Sequence, residues 1–234
     1  MKRYTNKDIF IFASVMVIIV ATILSVVAMV LQPLQKKNIE INKKQNILLS
    51  LNMKVEKDQA LEKYDQYITK TYVVNHNGER QQGEDAFSID LKKELDKPLK
   101  KRNLPVFVAS LKNEKVYVVP VRGKGLWGPI WGYVALKDDF NTIYGTNFSH
   151  QSETPGLGAE IATREFQKQF IGKKIFDESG EFVSVKVKKP GKTKGGPHEV
   201  DGISGGTITS KGVDQMLESI LESYLNYFEK QKKS

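Results

Sequence analysis

A short stretch near the C-terminus concentrates hydroxyl side chains at the start of a predicted helix. Residues 201–212 read DGISGGTITSKG, and the hydroxyl residues are Ser204, Thr207, Thr209 and Ser210. An ordinary helix cap needs one hydroxyl to accept a backbone N–H bond, which contributes about 1 kcal/mol. A phosphate would use the same place differently, because the N–H groups and the positive dipole end of a helix N-terminus attract anions. The stretch therefore predicts either a cap or an attachment point for a phosphate.

The two adjacent glycines favour the phosphate interpretation. A cap accounts for one hydroxyl and leaves the other three unexplained, whereas Gly205 and Gly206 would let the backbone approach a phosphate closely. The amphipathic tail that follows predicts a helix beginning near Ser210. The start of that helix would stabilise the negative charge of the phosphate.

A second stretch, residues 150–158, reads HQSETPGLG and predicts a tight turn just before a helix over 158–170. One interpretation is a strand-to-helix connection in which Glu153 caps the helix. The other is a backbone-lined ledge for a flat ligand, since glycines allow close approach and N–H groups can serve carbonyl or ring-nitrogen acceptors. The residue spacing leaves both open.

Several other chemistries are excluded by spacing. PGKTKGG contains Gly-Lys-Thr, but a P-loop needs a glycine where Lys186 stands. GKGLWG lacks the glycine spacing of a dinucleotide fingerprint. The histidines at 76, 150 and 198 show no ligand spacing and the chain has no cysteine, so we predict no metal site, disulfide or iron–sulfur cluster.

Short alternating segments from residue 72 onward predict strands that would position both stretches. These segments are TYVV, LPVFVAS, KVYVVPV, WGYVALK, NTIYGTNFS and EFVSVKVK. The C-terminal tail predicts a helix with one apolar face, which consists of Val213, Met216, Leu217, Ile220, Leu221, Tyr224 and Phe228. Strands in runs, with helices late in the chain, predict an α+β domain rather than a doubly wound parallel sheet.

Residues 9–31 form an uninterrupted uncharged, mainly apolar run, IFIFASVMVIIVATILSVVAMVL. About 20 such residues in a helix cross the hydrocarbon core of a bilayer. The run exceeds the roughly 7–15 residues of a signal-peptide core, and LQPLQ after it lacks the small residues of a cleavage site. We therefore predict one retained transmembrane helix.

The chain divides into four predicted segments. They are a short basic N-terminus (1–8), the transmembrane helix (9–31), a juxtamembrane helical segment (32–71) and an extracytoplasmic domain (72–234). Lysines lie on both sides of the span, so local charge does not set the orientation. Long domains cross membranes largely regardless of charge, which allows the basic start to remain cytoplasmic.

The net charge of +9 is distributed in a way that argues against nucleic acid as a partner. Basic residues cluster beside the span, in KVKKPGKTK (186–194) and at the C-terminus, without aromatic residues between them to stack bases. We expect these lysines to be solvated, or to face the lipid bilayer or a partner subunit.

Three motifs together resemble one known family. DGISGGT resembles the flavinylation motif Asp-x-x-Ser/Thr-Gly-Ala-Thr of FMN-binding domains, with Gly206 in place of the family's alanine. HQSETPGLG is similar to the Glu-Thr-Pro-Gly-Leu-Gly element of the same domains. GKGLWGPIWGYVAL (123–136) resembles a segment of the C subunit of sodium-translocating NADH:quinone reductases. The motifs follow the family's order behind one N-terminal span, and the resemblance extends to the C-terminus.

The resemblance implies a mixed, mainly antiparallel FMN-binding domain over 72–234, with FMN joined covalently to the hydroxyl of Thr207. It implies an electron relay that needs no catalytic acid or base, and a separate FAD:protein FMN transferase whose recognition of the chain involves Asp201 and Ser204. It also implies association with the other subunits of a reductase complex in the cell inner membrane, with the domain in the periplasm. Besides Thr207, the implied cofactor-binding residues are Ser204, Gly205, Gly206, Glu153, Thr154, Gly156, Leu157, Gly158 and Trp127.

Some alternatives remain open from the sequence. The chain could be the G subunit of an Rnf-type ferredoxin:NAD oxidoreductase, or a non-redox membrane-anchored scaffold in which both glycine stretches are only turns. Thr209 is the residue most easily confused with Thr207 as acceptor. Trp127 either packs near the flavin or is an ordinary core aromatic.

Overall fold

The computed structural model describes residues 5–112 and 114–232. The chain forms two compact units, Met1–Lys43 and Lys44–Ser234. The first unit contains most of one long helix. The second contains the end of that helix, the sheets and all the remaining helices of the described chain.

The long helix α1 (Asn6–Ser50) has 45 residues and contains the predicted span 9–31. It begins with a capping box, because the Asp8 carboxylate accepts hydrogen bonds from the backbone N–H (2.9 Å) and the hydroxyl (2.7 Å) of Thr5. An apolar stretch of the helix reaches a mean hydropathy of 2.9, and its side chains are not buried against the protein. The helix is therefore long and apolar enough to cross a membrane.

Asn52 ends α1. Its φ of 62° lies in the left-handed region, and Met53 N–H and Asn52 N–H donate to the carbonyls of Leu48 (3.2 Å) and Leu49 (3.0 Å). This is the Schellman pattern of helix termination. The side-chain amide of Asn52 donates to the Tyr144 carbonyl at 2.7 Å, which ties the end of α1 to the sheet.

A six-stranded antiparallel sheet in the order β2-β1-β3-β4-β5-β6 forms the centre of the second unit. Its strands are β1 (Ile68–Asn75), β2 (Arg80–Gln81), β3 (Asn103–Leu111), β4 (Glu114–Lys124), β5 (Pro129–Lys137) and β6 (Ile143–His150). A small parallel pair, β7 (Lys186–Lys188) and β8 (Glu199–Asp201), lies outside this sheet. The predicted α+β class with a mixed, mainly antiparallel arrangement is confirmed, and the first strand begins four residues before the expected domain start at 72.

Five further α-helices follow α1 in the described chain. They are α2 (Ala60–Tyr67), α3 (Leu91–Leu95), α4 (Arg164–Lys168), α5 (Thr207–Ser223) and α6 (Leu225–Lys232), with 3-10 turns at Leu99–Lys101 and Gly158–Ala162. The predicted C-terminal helix thus begins at Thr207 instead of near Ser210, and it is interrupted at Tyr224. The earlier start arises because Gly206 occupies the N-cap position, so no hydroxyl residue is the cap.

The core lies between the sheet and the C-terminal helices. All seven residues predicted for the apolar face of the tail are buried, from Val213 to Phe228. Helix α5 approaches β4 closely at two glycines. A Cβ on Gly123 would lie 2.7 Å from Cβ of Met216, and a Cβ on Gly212 would overlap the carbonyl oxygen of Lys124. This contact fixes the position of α5 on the sheet.

Two sequence segments form less regular structure than predicted. The helix expected over 158–170 is split, because Thr163 is extended and its hydroxyl accepts the Phe166 N–H (3.4 Å) to cap α4. The segment EFVSVKVK is a strand only over Lys186–Lys188. Ser184 interrupts it with a left-handed φ of 58°, which a regular strand does not allow.

Candidate functional site

Two glycine turns from the two predicted stretches have the same construction. In residues 154–157 and 203–206, the N–H of the fourth residue donates to the carbonyl of the first, at 3.1 Å and 3.0 Å. The third residues, Gly156 and Gly205, have φ of 76° and 71°. This is the position where a type II turn requires a left-handed residue, so glycine is needed at both.

The two turns lie against each other. A Cβ on Gly205 would meet Cδ2 of Leu157, and a Cβ on Gly206 would lie 3.3 Å from the backbone N of Gly158. The fold therefore brings the two stretches into contact, although about fifty residues separate them in the sequence. At Gly206 the φ of −103° suits any residue, but a Cβ would also lie 3.0 Å from Cγ2 of Ile203. An alanine at this position would therefore need a small shift of its neighbours, and glycine does not.

Thr207 is the first residue of α5, and its side chain is exposed. Neither its hydroxyl nor the backbone N–H groups of Thr207, Ile208 and Thr209 have a hydrogen-bond acceptor within residues 5–112 and 114–232. The first turn of α5 contains no acidic residue. An anion at Thr207 would therefore meet free N–H donors and the positive end of the helix dipole.

The four hydroxyls of the stretch divide into two pairs. Thr209 (1 % exposed) donates to Oε2 of Glu153, and Oγ of Ser210 (5 % exposed) accepts from the Ile203 N–H at 2.9 Å. Ser204 and Thr207 are exposed, and no hydrogen bond to either hydroxyl occurs in the described part of the chain. Thr209 is thus held inside the protein, whereas Thr207 faces solvent.

Glu153 connects three segments from a buried position. Its Oε1 accepts from the Trp127 N–H (2.9 Å), its Oε2 accepts from the Thr209 hydroxyl, and its own N–H donates to Nδ1 of His150 (3.1 Å). The side chain is 4 % exposed. It does not cap the following helical turn, whose N-cap is Leu157. Glu153 therefore supports the predicted ledge from inside, with both carboxylate oxygens bonded to protein.

Gly125 and Gly158 leave room for this carboxylate. A Cβ on Gly125 would overlap Oε1 of Glu153, and a Cβ on Gly158 would overlap Oε2 together with Oγ1 of Thr209. The sequence interpretation explained Gly158 by the approach of a ligand. In the structure, Gly158 is required by the close approach of Glu153 and Thr209.

Four exposed apolar side chains lie on the hairpin tip, on the first glycine turn and at the start of α5. Trp127 (66 % exposed) and Leu126 (47 %) lie at the tip of the β4–β5 hairpin, closed by the Gly125 N–H to Gly128 carbonyl bond at 2.8 Å. Leu157 (41 %) contacts Gly205 in the facing turn, and Ile208 (58 %) follows Thr207 directly. The core-aromatic interpretation of Trp127 is therefore wrong.

Four residues of this region were not among the predicted cofactor-binding residues, namely Gly125, Leu126, His150 and Ile208. Ile208 had a usable signal, because it falls outside the apolar face of α5 that begins at Val213. Gly125 and His150 had none, since their roles depend on Glu153, which is distant from Gly125 in the sequence. Thr154, at the start of the first turn, is exposed and contributes its carbonyl to the Leu157 and Ala159 N–H groups (3.1 Å each).

Asp201, the first residue of the flavinylation-like motif, holds the Lys-rich loop. Its carboxylate accepts from the hydroxyl (2.9 Å) and N–H (3.3 Å) of Thr193, and these bonds lower the pKa of Asp201 below its ordinary value. The side chain of Gln169 pairs with the Asp201 backbone at 3.2 Å and 2.9 Å. These contacts fix the chain that leads into the second turn.

Comparison with known proteins agrees with this site. The FMN-binding domain family matches residues 125–222, a range that begins at the hairpin tip and ends in α5. The C subunit of Na+-translocating NADH-quinone reductase from Haemophilus ducreyi is 34 % identical over 229 residues, covering 89 % of this chain and 88 % of that protein. The corresponding protein from Neisseria meningitidis is 36 % identical over 235 residues, covering 91 % and 90 %.

Solved structures show the same relationship. The crystal structure of the corresponding protein from Parabacteroides distasonis has 49 % identity and a TM-score of 0.79, over 85 % of this chain and 96 % of that chain. The structure of Shewanella oneidensis NqrC has 27 % identity and a TM-score of 0.72, over 86 % and 100 %.

The family match over residues 125–222 and the mainly antiparallel sheet place the domain in the FMN-binding class. Within that class, the chain belongs to the NqrC family, the C subunits of Na+-translocating NADH-quinone reductases. This relationship favours neither the Rnf-type G subunit nor the non-redox scaffold.

Proposed function

We propose that this chain carries FMN on Thr207 through a phosphoester bond and relays electrons within a Na+-translocating NADH-quinone reductase. Thr207 carries the proposal, because its hydroxyl is exposed at a helix start whose first N–H groups have no acceptor in the described chain. The names and FMN-binding domain of the relatives support the same activity. When bound, FMN supplies the capacity to accept and donate electrons.

The residues around Thr207 fit such a cofactor. An attached phosphodiester keeps one negative charge, which the N–H groups of the first turn of α5 stabilise, typically by about 0.3–1 kcal/mol at an exposed site. Gly205 and Gly206 allow the two glycine turns to pack against each other beside it. The exposed side chains of Trp127 and Leu157 provide apolar surface that a flat ring would cover. None of these roles requires an acid or a base.

We propose that a separate FAD:protein FMN transferase makes the attachment. A threonine hydroxyl is a poor nucleophile unless a base activates it, and no hydrogen bond joins the Thr207 hydroxyl to a base in residues 5–112 and 114–232. The transfer would form a bond between Oγ1 of Thr207 and the FMN phosphorus of FAD, break the pyrophosphate bond and release AMP and a proton. Ser204, exposed in the neighbouring turn, is a candidate recognition residue.

Intact-mass measurement of the full chain tests the attachment. The protein is produced with and without the transferase, and the Thr207→Ala variant is compared with Ser204→Ala. Ser204 is the matched control because its hydroxyl is also exposed and lies three residues earlier. We expect the mass of FMN minus water on the wild type, a partial addition on Ser204→Ala because this hydroxyl takes part only in recognition, and no addition on Thr207→Ala. An unmodified wild type in the presence of the transferase would refute covalent attachment.

We also propose that α1 anchors the chain in the cell inner membrane, with the N-terminus in the cytoplasm and the domain in the periplasm. The length and hydropathy of α1 support the anchor. Because the natural chain has no cysteine, one introduced cysteine gives a unique label. In intact cells, a maleimide that cannot cross the inner membrane should label Glu178→Cys in the domain and leave Lys7→Cys unlabelled. The reverse pattern would refute the orientation.

The proposed partners are the other subunits of the reductase complex. Membranes from a strain that lacks its own NqrC should regain Na+-dependent NADH-quinone reductase activity when this chain and the transferase are supplied. Thr207→Ala, expressed at the same level, should restore none. Equal activity with Thr207→Ala would show that the flavin on this residue is not in the electron path.

A further inference from the structure

A buried acidic side chain, Glu153, is bonded to both the hairpin tip and the first turn of α5, and the electron relay described above gives it no role. Glu153 is 4 % exposed, and it forms no ion pair among the described residues. A buried carboxylate without a cation is costly unless hydrogen bonds or dipoles compensate it. Its location therefore needs an explanation beyond simple packing.

We propose that Glu153 is a positioning residue that fixes α5 relative to the Trp127 hairpin tip and whose negative charge lowers the reduction potential of the flavin on Thr207. This inference rests on the proposed function. It concerns two measurable properties, the geometry of attachment and the redox potential.

The contacts of Glu153 support the positioning role. One carboxylate oxygen accepts from the Trp127 N–H at 2.9 Å and the other accepts from the Thr209 hydroxyl in α5. Its backbone N–H donates to Nδ1 of His150 at the end of β6 (3.1 Å). The hairpin tip, the end of β6 and the first turn of α5 therefore meet at one residue, and Gly125 and Gly158 provide the space that it occupies.

The location of the charge supports the electrostatic role. Thr209 follows Thr207 by two residues, a rise of about 3 Å and a rotation of about 200°, so the carboxylate lies on the buried side of the first turn and the attachment point on its exposed side. The carboxylate bonded to Thr209 is thus within the first turn of α5, where the positive end of the dipole stabilises it. A negative charge that is shielded from water disfavours the addition of electrons to a nearby flavin, because the interaction is stronger than at an exposed site.

The first experiment compares Glu153→Gln with Glu160→Gln in the full chain carrying covalent flavin. Glutamine keeps the shape: its oxygen can accept from the Trp127 N–H and its amide can donate to Thr209. Glu160 is the matched control, because it lies in the same loop and accepts the Gly156 N–H at 3.0 Å from a partly exposed position. We expect spectroelectrochemical titration to show a higher midpoint potential for Glu153→Gln and a clearly smaller change for Glu160→Gln. Equal midpoint potentials for the two variants would overturn the electrostatic role.

The second experiment tests the positioning role through Thr209. Thr209→Val removes the hydroxyl at nearly constant volume, and Thr209→Ser restores it. Loss of a hydrogen bond to a charged group lowers the population of the arrangement that the bond holds by about tenfold. We therefore expect flavin attachment by the transferase to slow by about tenfold in Thr209→Val and to recover in Thr209→Ser. Attachment at the wild-type rate in folded Thr209→Val would overturn this role. The two Thr209 variants test the positioning role even if Glu153→Gln does not fold.

The wild type separates this inference from the proposed function. A wild type that never acquires covalent flavin refutes the proposed function itself. A flavinylated wild type with unchanged Glu153→Gln and Thr209→Val variants refutes only the role of Glu153.

Discussion

Replacement of Gly158 by alanine should disrupt the site without touching Thr207. The added Cβ would overlap Oε2 of Glu153 and Oγ1 of Thr209, both of which are buried. The carboxylate must move, and movement breaks its bond to Thr209 or to the Trp127 N–H. Each hydrogen bond to a charged group contributes about 1.5–3 kcal/mol.

We expect Gly158→Ala to lower the free energy of unfolding by about 3 kcal/mol, between the loss of one such bond and of both. For a chain of this size, 1 kcal/mol corresponds to about 2–4 °C, so the Tm should fall by roughly 6–12 °C. Gly156→Ala is the matched control in the same turn. Its φ is 76° and a Cβ there would meet no atom within 4 Å. It should cost only the left-handed strain of about 1–2 kcal/mol.

The assay is urea unfolding of the full chain in detergent, followed by near-ultraviolet circular dichroism, in the wild-type and Glu153→Ala backgrounds. If the steric conflict is with the carboxylate, Gly158→Ala should cost at least about 1.5 kcal/mol less when Glu153 is absent. Gly156→Ala should cost the same in both backgrounds. Additivity of Gly158→Ala and Glu153→Ala within about 0.5 kcal/mol would refute the reasoning.

Three further predictions concern the framework of the domain. Phe228→Ala, at a fully buried position, should lower the free energy of unfolding by about 3–5 kcal/mol, and a loss below about 1 kcal/mol would place α6 outside the core. Asn52→Ala should cost about 1–2 kcal/mol through its left-handed φ and additionally lose the bond to Tyr144, whereas Asn52→Gly should lose only that bond. Because Thr193 holds the pKa of Asp201 below 3.8, ionised Asp201 stabilises the fold above that pH, and this contribution disappears as the pH falls through the lowered pKa. Thermal unfolding of Asp201→Asn should therefore depend less on pH below about 5, and equal slopes for both proteins would contradict this.

The elements with strong periodicity could be predicted from the sequence. The apolar face of the tail repeats at helical spacing, and every predicted residue from Val213 to Phe228 is buried. The alternating segments give strands near their expected positions because one face of each packs on the core. The turn at Gly156 was expected from glycine and its neighbours, whereas Gly205, which the sequence interpretation explained by the approach of a phosphate, forms a second turn, and both have positive φ.

The details of the site depend on contacts that sequence spacing does not contain. Thr207 and Thr209 have the same chemistry, but Thr209 lies four residues before Val213 on the buried face of α5, where it bonds to the distant carboxylate of Glu153. The start of α5 was placed three residues too late because hydroxyl residues are favoured as caps, whereas the cap is Gly206. Ser184 interrupts a segment with good strand composition through its backbone conformation alone.

The division of the four hydroxyls also sets an order of events during biogenesis. Thr209 and Ser210 are withdrawn from solvent by folding, and their hydroxyls bond to Glu153 and Ile203. A newly made chain would offer all four hydroxyls to a modifying enzyme, whereas the folded chain exposes only Ser204 and Thr207. The choice of one hydroxyl by the modifying enzyme is thus partly a property of the folded state. Flavin attached at one position only would indicate that the chain folded before it was modified.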